Sequence, residues 1–558
     1  MIRQEAFTML SAPGQPLEIV DVDVYGLTCR NYKHAPQSLR DLYQTNLSNK
    51  TLLVFEKERF SFADIWAAAS AIGAGLVADH DIQKGDRVAI CMRNYPEWII
   101  AFQAITSVGG IVVAMNSLWQ ADEIHYGLQD SDCKLLIADQ ERFDLLAKAN
   151  PKMSCSALIV RGHEGSAIAK WEDLQQRHAG ACMPELKISA IDDVIILYTS
   201  GSTGRPKGVV SSNLAVISAL LSWEISLSAW LLTRGAPLAK TAQQPAALVA
   251  VPLFHVSGCH AVFLAAFRSQ TKLVLTQKWD PAQAVMLIEQ EKISGFTAPS
   301  AITADLTYHA QQIGINLPSL VIVGGGGASR APQQVRSIGA AFANAMPSTG
   351  WGMTETNSMG TAIAGDDYLE RPSSSGLPTG PTDVIDIRIA NTKGKSLASG
   401  ERGEVQIRGT SMFRGYWNNP KATAAAYIDG WFKTGDVGYL DKEGYLFIVD
   451  RIKDMVIRGG ENIGCGEVEA ALLEHPLVRE AAVYSVPDER LGEEVAATIY
   501  CHREIDEIEL REFLLARLAK FKIPRYIQQS QVGLPRTASG KIFKLQIKQN
   551  AMTSTLFI

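Results

Sequence analysis

The chain has 558 residues, of which 47% are hydrophobic and 20% are charged, a composition typical of a globular protein with three or four structural units. Its formal net charge of −5 gives no electrostatic case for nucleic acid as a partner. The eight cysteines show neither a Cys-x-x-Cys spacing nor a His/Cys metal pattern, so we expect free thiols in a reducing compartment. Because there is no basic-then-apolar leader and no C-terminal Ser-Lys-Leu, we expect a cytoplasmic location.

Short apolar runs alternate with helical patterns through the first part of the chain. Strands are predicted at 86–91, 135–138, 194–197, 247–252, 272–275 and 319–324. A helix is predicted at 97–108, between the first two of them. This alternation favours parallel sheets covered by helices.

The run 214–232 is apolar enough to raise the question of a membrane span. Glu224 lies in its middle, where a charge would be costly in a bilayer. We therefore predict a buried helix and no transmembrane segment. Part of this helix could line a substrate pocket, although apolar helical residues are more often plain core.

After about residue 376 the pattern changes to extended runs between Gly-rich turns. These runs, at 386–390, 403–408 and 444–449, predict a β-barrel-like subdomain over about 376–449. The rest of the chain is predicted to hold a helix, a strand and a helix, at 465–474, 478–486 and 509–518. The expected fold class is α/β: a large N-terminal domain of helix-covered mixed sheets with the barrel-like part (1–449), then a small α+β domain (450–558).

The loop 198–208 follows the strand predicted at 194–197 and reads YTSGSTGRPKG. Its glycines let the backbone approach phosphate oxygens, and successive N–H groups, hydroxyls and Lys207 supply donors and charge. It is not a Walker A loop, because Pro206 precedes the lysine and Gly208 follows it. The alternative is an ordinary Gly/Ser surface turn.

Five further motifs follow in order along the chain. They are PLFHVSG at 252–258, STGWGMTET at 348–356, TGDVG at 434–438, VDRIKDMVIRGGEN at 449–462 and PRTASGK at 535–541. Together with the loop, they resemble the signatures of the acyl-adenylate-forming enzymes, which include acyl- and aryl-CoA synthetases, peptide-synthetase adenylation domains and luciferases. The resemblance covers about residues 50–545. It implies ATP, Mg²⁺ and coenzyme A as cofactors and a carboxylic acid as substrate, activated first to an acyl-AMP.

The resemblance also implies roles for single residues. Lys541 would reach the carboxylate and the α-phosphate, and Thr354 the phosphates, while Glu355 and Thr199 would hold Mg²⁺. Asp436 and Arg451 would contact the ribose. Taken without their motifs, Lys541 reads as a solvated charge and the pair Thr354-Glu355 as a helix N-cap. The implied nucleotide and CoA contacts are Thr199, Ser200, Gly201, Ser202, Thr203, Gly204, Lys207, Gly326, Gly327, Ala328, Trp351, Gly352, Asp436, Arg451, Gly459 and Gly460.

Trp351 departs from the family pattern, which has Tyr or Phe stacked on adenine at this place. An indole keeps a π face for stacking, and its extra width would narrow the adjacent acyl site. The run 324–328, four glycines and Ala328, is expected to form the other wall of the adenine slot, where the missing side chains permit close approach by the ring.

Asp450 resembles the family's hinge, which implies a mobile small domain with two poses. In one pose Lys541 faces ATP, and in the other the loop 458–461 helps form a tunnel for the pantetheine arm. Thiol attack would then release AMP.

Absences narrow the branch of the family. His255 stands where amino-acid-activating domains carry an Asp, Val256 stands where luciferases usually have a second His, and no carrier domain follows Lys541. A stand-alone acid–CoA ligase remains. His255 could orient the acyl carboxylate or be a satisfied buried histidine.

The expected acyl pocket consists of small or apolar residues without Arg or Lys, which suits an uncharged tail. Its residues are His255, Val256, Ser257, Gly258, Cys259, Thr297, Ala298, Pro299, Gly324, Gly325, Gly326, Gly327, Ser348, Thr349 and Gly350. The glycine run is expected to leave room for chain length, so a medium- or long-chain fatty acid is favoured. An aryl or alicyclic acid, a β-lactone synthetase, a fatty acyl-AMP ligase and an inactive adenylate-binding scaffold stay open, and the sequence allows a homodimer.

Overall fold

The computed structural model describes residues 1–24, 27–149, 155–163, 169–199, 206–236, 243–327, 330–537 and 540–553. Two large mixed sheets dominate the chain up to about residue 380. The strands of the first, in spatial order, are Gly415–Tyr416, Lys207–Ser212, Asp193–Thr199, Ile111–Ala114, Arg87–Cys91, Leu135–Asp139 and Ser156–Val160. Those of the second are Leu377–Pro378, Gly360–Ala364, Met346–Gly352, Ile322–Gly326, Gly295–Thr297, Ala246–Val249, Lys272–Leu275, Thr51–Phe55 and Glu58–Ser61.

Both sheets are parallel in the middle; the first is antiparallel at one edge and the second at both edges. Ile111–Ala114 pairs in parallel with Arg87–Cys91 and Asp193–Thr199, and all four of its residues are buried. Strands covered on both faces are expected to be continuously apolar, as this one is. The parallel part of each sheet follows from the alternation of strands and helices in the sequence.

Helices cover the faces of these sheets and connect their strands. Those before residue 380 are Arg3–Leu10, Leu39–Thr45, Phe62–Ala78, Pro96–Ser107, Ala121–Ser131, Gln140–Ala149, Trp171–Arg177, Asn213–Thr233, Val256–Gly258, Ala265–Ser269, Pro281–Glu291, Ser300–Gln312, Pro332–Ala341 and Asp366–Glu370, with a π-helical turn Cys259–Leu264 and a 3₁₀ turn Thr354–Thr356. Many begin at a capping residue; for example, the Ser61 side chain accepts a hydrogen bond from Asp64 N.

The long helix Asn213–Thr233 contains the apolar run noted in the sequence. Within the described residues it is the one helix whose length and composition would allow a membrane crossing, and 56% of its most apolar window is buried inside the protein. Glu224, in the middle, forms an ion pair with Arg268, whose Nη2 lies 2.9 Å from Glu224 Oε1. The pairing satisfies the charge that the sequence places in this helix.

An antiparallel sheet follows, in agreement with the half-barrel expected after residue 376. Its strands are Ile385–Ala390, Gly403–Gly409, Trp431–Leu440, Tyr427–Ile428 and Leu446–Arg451. The helix Pro420–Ala425 lies in the same part of the chain. Asp436 faces Arg451 across two paired strands of this sheet.

A small α+β unit ends the chain and has its own hydrophobic core, which includes Val456, Val468, Val483 and Ile499. Its strands are Glu461–Ile463, Val456–Arg458, Gly492–Cys501, Val478–Asp488 and Tyr526–Ser530. Its helices are Cys465–Leu473, Glu507–Leu515 and Lys544–Met552, with a 3₁₀ turn Lys520–Lys522. The predicted fold class is confirmed.

Many observed strands, such as Thr51–Phe55 and Met346–Gly352, have no counterpart among the predicted strands, and the same holds for three more in antiparallel pairs. Ile19–Val24 and Leu27–Tyr32 form an antiparallel pair near the start of the chain. Lys207–Ser212 pairs antiparallel with Asp193–Thr199, directly after the predicted phosphate loop. All eight cysteines lie in the described part of the chain, and all are free thiols.

Candidate active site

The predicted phosphate loop joins two paired strands. Thr199 ends the strand Asp193–Thr199, Lys207 begins the next one, and the two residues are register partners. Ser200, Gly201, Ser202, Thr203 and Gly204, which the sequence assigns to phosphate binding, lie outside the described residues, as does Ala328. What the structure does fix is the base of the loop, with Lys207 Nζ 4.9 Å from the centre of the Tyr416 ring.

Glu355 lies in the 3₁₀ turn Thr354–Thr356 and is only 7% exposed. The Tyr416 hydroxyl donates a hydrogen bond to Glu355 Oε1 over 3.0 Å, and the Phe413 N–H donates to the Glu355 carbonyl over 2.8 Å. Burial raises the pKa of the Glu355 carboxyl, and the bond from Tyr416 and the charges of Arg451 and Lys207 act in the opposite direction. A desolvated carboxylate of this kind gains from a bound cation.

Asp436 is held at both carboxylate oxygens. The Trp351 indole N–H donates to Oδ2 over 2.7 Å, and Arg451 Nε donates to Oδ1 over 3.1 Å. The Asp436 N–H in turn donates to the hydroxyl of Thr434 over 3.1 Å. The residue is 4% exposed, so its orientation is fixed by these contacts rather than by solvent.

The glycine run 324–327 differs from one residue to the next. At Gly326 the nearest atom to an added Cβ would be the Gly350 carbonyl oxygen at 4.0 Å, which leaves the edge of two paired strands open. Gly327 has φ +74°, and its Cβ would lie 2.7 Å from Lys541 Cε. Only glycine fits there without moving the lysine.

Lys541 reaches the glycine run from the C-terminal unit. The lysine sits in a tight turn, in which its carbonyl accepts from Thr537 N over 2.7 Å and its N–H donates to Thr537 Oγ1 over 3.2 Å. Gly540 has φ +81°, and an added Cβ there would lie 2.7 Å from Ile302 Cδ1. The absence of a side chain thus lets the turn pack closely against Ile302. Burial, and then the charge of Arg451, lower the pKa of Lys541 to about 8, whereas Asp436 acts to raise it.

His255 begins the turn that the sequence assigns to the acyl pocket. Its Nδ1 accepts from the Ser257 N–H over 3.3 Å and lies 2.8 Å from Ser257 Oγ. Burial lowers the pKa of His255 to about 3, with further contributions from Lys541 and His260. The ring is therefore neutral near pH 7 and acts as a hydrogen-bonding group rather than as a cation.

Three glycines of the expected acyl pocket, two of them in the run 324–327, are packed against neighbours. A Cβ at Gly324 would lie 2.5 Å from Thr297 Oγ1, and one at Gly325 would lie 2.8 Å from Arg330 Nη2. A Cβ at Gly258 would overlap the Pro252 carbonyl. Gly324 and Gly325 thus allow close packing of their neighbours, and the expectation that the run leaves room for chain length stays a prediction.

The glycine loop expected to meet coenzyme A packs within the C-terminal unit. Arg458 Nε lies 2.5 Å from Glu494 Oε1, and the Gly459 N–H donates to the Leu491 carbonyl over 2.9 Å. Gly460 lies at the tip of the same turn, between Val456–Arg458 and Glu461–Ile463. The structure thus brings Lys541, and not this loop, to the large sheets.

Asp450 lies where the half-barrel passes into the C-terminal unit. Its carboxylate accepts hydrogen bonds from the Arg451 N–H over 2.7 Å and from the Cys465 N–H. The second bond caps the start of the helix Cys465–Leu473. Burial raises the pKa of Asp450, and the charge of Lys544 opposes this.

Sequence reasoning missed two residues beside the site. Tyr416 bonds to Glu355, and Arg330 is a buried guanidinium whose Nη2 donates to Thr303 Oγ1 over 3.0 Å. The short run Phe413-Arg-Gly-Tyr-Trp417 could have drawn attention to Tyr416, since aromatic residues there follow a sheet and precede a Pro-initiated helix. No sequence pattern distinguishes Arg330 from a surface arginine.

Family models match most of the chain. The model described as AMP-binding enzyme matches residues 43–417, and the model described as AMP-binding enzyme C-terminal domain matches residues 467–541.

The curated relatives are similar over nearly their whole length. A 2-succinylbenzoate–CoA ligase of Bacillus velezensis is 31% identical, covering 89% of this chain and 94% of the relative. The long-chain-fatty-acid–CoA ligase FadD13 of Mycobacterium tuberculosis is 32% identical, covering 88% and 93%. A feruloyl-CoA synthase of Amycolatopsis is also 32% identical, with the same coverage of 88% and 93%.

Solved structures give the same result. An o-succinylbenzoate CoA synthetase from Bacillus subtilis, in complex with its acyl-adenylate intermediate, superposes with a TM-score of 0.77 at 27% identity, covering 92% of this chain and 98% of the other. The same synthetase in complex with ATP and a magnesium ion also gives a TM-score of 0.77 at 27% identity, covering 92% and 99%.

Proposed function

The chain belongs to the AMP-binding enzyme family and is an AMP-forming acid–CoA ligase, and on that premise we propose that its acid is a medium- or long-chain fatty acid. The observation that carries the reaction is the position of Lys541 from the C-terminal unit, beside Gly327 and within the electrostatic reach of Arg451 and Asp436. Residues of the large unit and of the C-terminal unit thus meet where ATP and the carboxylate would react.

The chemistry requires two steps. A carboxylate is not attacked by a thiol at neutral pH, because oxide would have to leave. Attack of the carboxylate oxygen on the α-phosphorus of ATP forms an acyl-AMP and releases pyrophosphate. The CoA sulfur then attacks the acyl carbon, the thiol proton is lost, and AMP leaves with the former carboxylate oxygen.

Lys541 would stabilise the first transition state. Negative charge grows there between the carboxylate, the α-phosphate and pyrophosphate, and a preorganised cation in a partly buried site lowers that energy. Lysine suits this role because it is a compact charge on a long stem. Thr354 would contact the phosphates, and Asp436 with Arg451 would hold the ribose.

Glu355 and Thr199 would hold the magnesium ion that accompanies ATP. Glu355 is a buried carboxylate whose pKa is raised by burial, and Mg²⁺ is commonly held by one or two carboxylates together with substrate phosphates. The ion would neutralise charge on the phosphate oxygens. The residues of this chain contribute the carboxylate, the bond from Tyr416 that orients it, and Lys207 nearby.

For the second step we propose that the unit 450–558 rotates on the large unit 1–449, with Asp450 as the hinge and 376–449 as the barrel-like part of the large unit. Rotation would remove Lys541 and bring the Gly459–Gly460 turn to the site. This turn, with its positive φ angles of +58° and +91°, has no side chain to obstruct a thin pantetheine arm.

The fatty-acid proposal rests on the character of the acyl walls. His255 is neutral near pH 7 because its pKa is about 3, while Val256 and Ser257 add no charge. This part of the wall is neutral and favours an uncharged tail, whereas the buried guanidinium of Arg330 beside Gly325 would favour an acid with a second carboxylate. Because one relative is named a feruloyl-CoA synthase, an aryl acid is the second candidate.

A substrate panel tests the proposal. AMP release from ATP and Mg²⁺ would be measured with C2 to C18 fatty acids, aryl acids and 3-hydroxy acids, each with and without CoA, with Lys541→Ala as the control. We expect CoA-dependent AMP release that peaks at a C8 to C18 acid and is lost in the variant. A peak at aryl acids would replace the fatty acid, and turnover that ignores CoA would favour a β-lactone synthetase or an acyl-AMP ligase.

A further inference from the structure

Trp351 connects two parts of the proposed nucleotide site. Trp351 lies in the strand Met346–Gly352, and its indole N–H donates a hydrogen bond over 2.7 Å to Oδ2 of Asp436, which lies in the strand Trp431–Leu440. Stacking on adenine, which the sequence suggests for this residue, uses only the π face. The bond to the carboxylate of Asp436, the proposed ribose contact, is a second role, and Phe or Tyr at position 351 has no indole N–H to supply it.

The indole N–H could compete with the ribose or assist it. A carboxylate offers about four acceptor positions, and here Trp351 and Arg451 use one on each oxygen. Two positions remain, which matches the two hydroxyls of a ribose. Because both oxygens are held and the residue is 4% exposed, the carboxylate cannot turn about its own bond without losing a contact.

We propose that Trp351 is a positioning residue for Asp436, and that through Asp436 it sets the preference of this site for nucleotides with an intact ribose. The inference rests on the proposed function, because it takes Asp436 as the ribose contact. The indole fixes the plane of the carboxylate before the nucleotide arrives, so that the ribose hydroxyls bind without a cost for ordering it.

The experiment compares two nucleotides. Dissociation constants for ATP and for 2′,3′-dideoxy-ATP, both with Mg²⁺, would be measured by isothermal titration calorimetry on the full chain and on Trp351→Phe. Phenylalanine keeps an aromatic face and removes the N–H. The measured quantity is the dissociation constant for 2′,3′-dideoxy-ATP divided by that for ATP. We expect this ratio to fall about tenfold in Trp351→Phe, the order of one hydrogen bond to a charged group.

Trp279→Phe is the matched control. The Trp279 indole N–H also donates to a carboxylate, Asp305 Oδ2, over 3.2 Å, and its ring stacks on Phe296. This variant loses the same kind of bond and should keep the wild-type ratio. If Trp351→Phe melts early, 3-benzothienylalanine at position 351 replaces the N–H by sulfur in a ring of nearly the same shape.

The outcomes are distinct. Weaker binding of both nucleotides with an unchanged ratio would mean that Trp351 serves only as an adenine wall, and a larger ratio would mean that it competes with the ribose; either result overturns the proposal. If the wild-type chain binds ATP and 2′,3′-dideoxy-ATP equally, the positioning role is overturned as well. Failure of the proposed function would appear separately, as absence of ATP-dependent AMP release in the wild-type chain.

Discussion

In the proposed nucleotide half of the site, Asp436 and Glu355 are buried carboxylates with named donors, whereas in the proposed acyl half Thr297 and Gly324 meet through close packing. The first kind of contact is specific to atom positions, so one lost donor should be felt strongly. The second kind depends on volume. His255, which is neutral near pH 7 and bonded to Ser257, adds no charge to this half of the site. We therefore expect nucleotide-side substitutions to change rates and acyl-side substitutions to change which acid is preferred.

Replacing Lys541 should have the largest effect. We expect Lys541→Ala to slow acyl-AMP formation by about 10² to 10³, the usual loss when one group that stabilises transition-state charge is removed. Transfer from added acyl-AMP to CoA should stay within about threefold, because Lys541 is proposed to leave the site in that step. The two half-reactions would be followed by pyrophosphate exchange and by thioester formation.

Lys548→Ala is the control for that change. Lys548 lies seven residues further on and bonds to Ser485 Oγ within the C-terminal unit over 3.1 Å. Equal loss in both half-reactions for Lys541→Ala would contradict the proposed rotation.

The pH dependence of adenylation should come next. The pKa of Lys541 is lowered to about 8, so kcat/KM for ATP in pyrophosphate exchange should fall about tenfold per pH unit above that value. A profile that stays flat to pH 10 would show that the charge of Lys541 is not required.

The same shift affects stability with a definite sign. The unfolded chain keeps a lysine pKa near 10.5, so between about pH 8 and pH 10.5 it binds more protons than the folded chain. The contribution of Lys541 to the free energy of unfolding therefore rises with pH across this window. Below pH 8 both states carry the proton, and burial of the charge costs stability. Urea unfolding of the wild-type chain and of Lys541→Met would reveal the difference in slope.

Tyr416→Phe should have a smaller effect, limited to the metal. The variant removes the hydroxyl that orients Glu355, so we expect the Mg²⁺ concentration for half-maximal rate to rise about tenfold, the range seen when a group that orients a metal ligand is lost. Tyr427→Phe, which takes a hydroxyl from a neighbouring ring, is the control. An unchanged Mg²⁺ requirement would show that Tyr416 does not orient a metal ligand.

Ser257→Ala should have the smallest effect and should act on the acid. It removes the hydroxyl 2.8 Å from His255 Nδ1 and leaves the backbone bond in place. We expect KM for the acid to change about threefold, the order of one weak neutral hydrogen bond, with KM for ATP unchanged. A larger change in KM for ATP than for the acid would remove the distinction between the two halves.

Much of the fold follows from local pattern. The apolar run 272–275 predicts the strand Lys272–Leu275 at its observed bounds, and the helix Pro96–Ser107 lies within one residue of its predicted start. The strand Lys207–Ser212 escapes prediction because its sequence, KGVVSS, has only two strongly apolar residues and gains its place by pairing with Asp193–Thr199.

The site is predictable to the extent that motifs carry it. The motif match assigns Asp436 and Lys541 roles, yet 105 positions separate them, and no spacing rule would bring them together. The bond from Trp351 to Asp436 is a tertiary contact between two sheets, which a sequence cannot show. The same holds for Gly324, where a side chain is excluded by Thr297, a neighbour on another strand.

The ion pair of Glu224 with Arg268 has a consequence for synthesis of the chain. A nascent helix such as Asn213–Thr233 meets the length and composition that membrane-insertion machinery accepts. An ionised residue at the centre of a helix raises the free energy of insertion by about 3 kcal/mol on insertion scales. Before tertiary packing exists, Glu224 alone disfavours transfer of this helix into the lipid phase. In the folded chain, the ion pair with Arg268 stabilises the charge of Glu224.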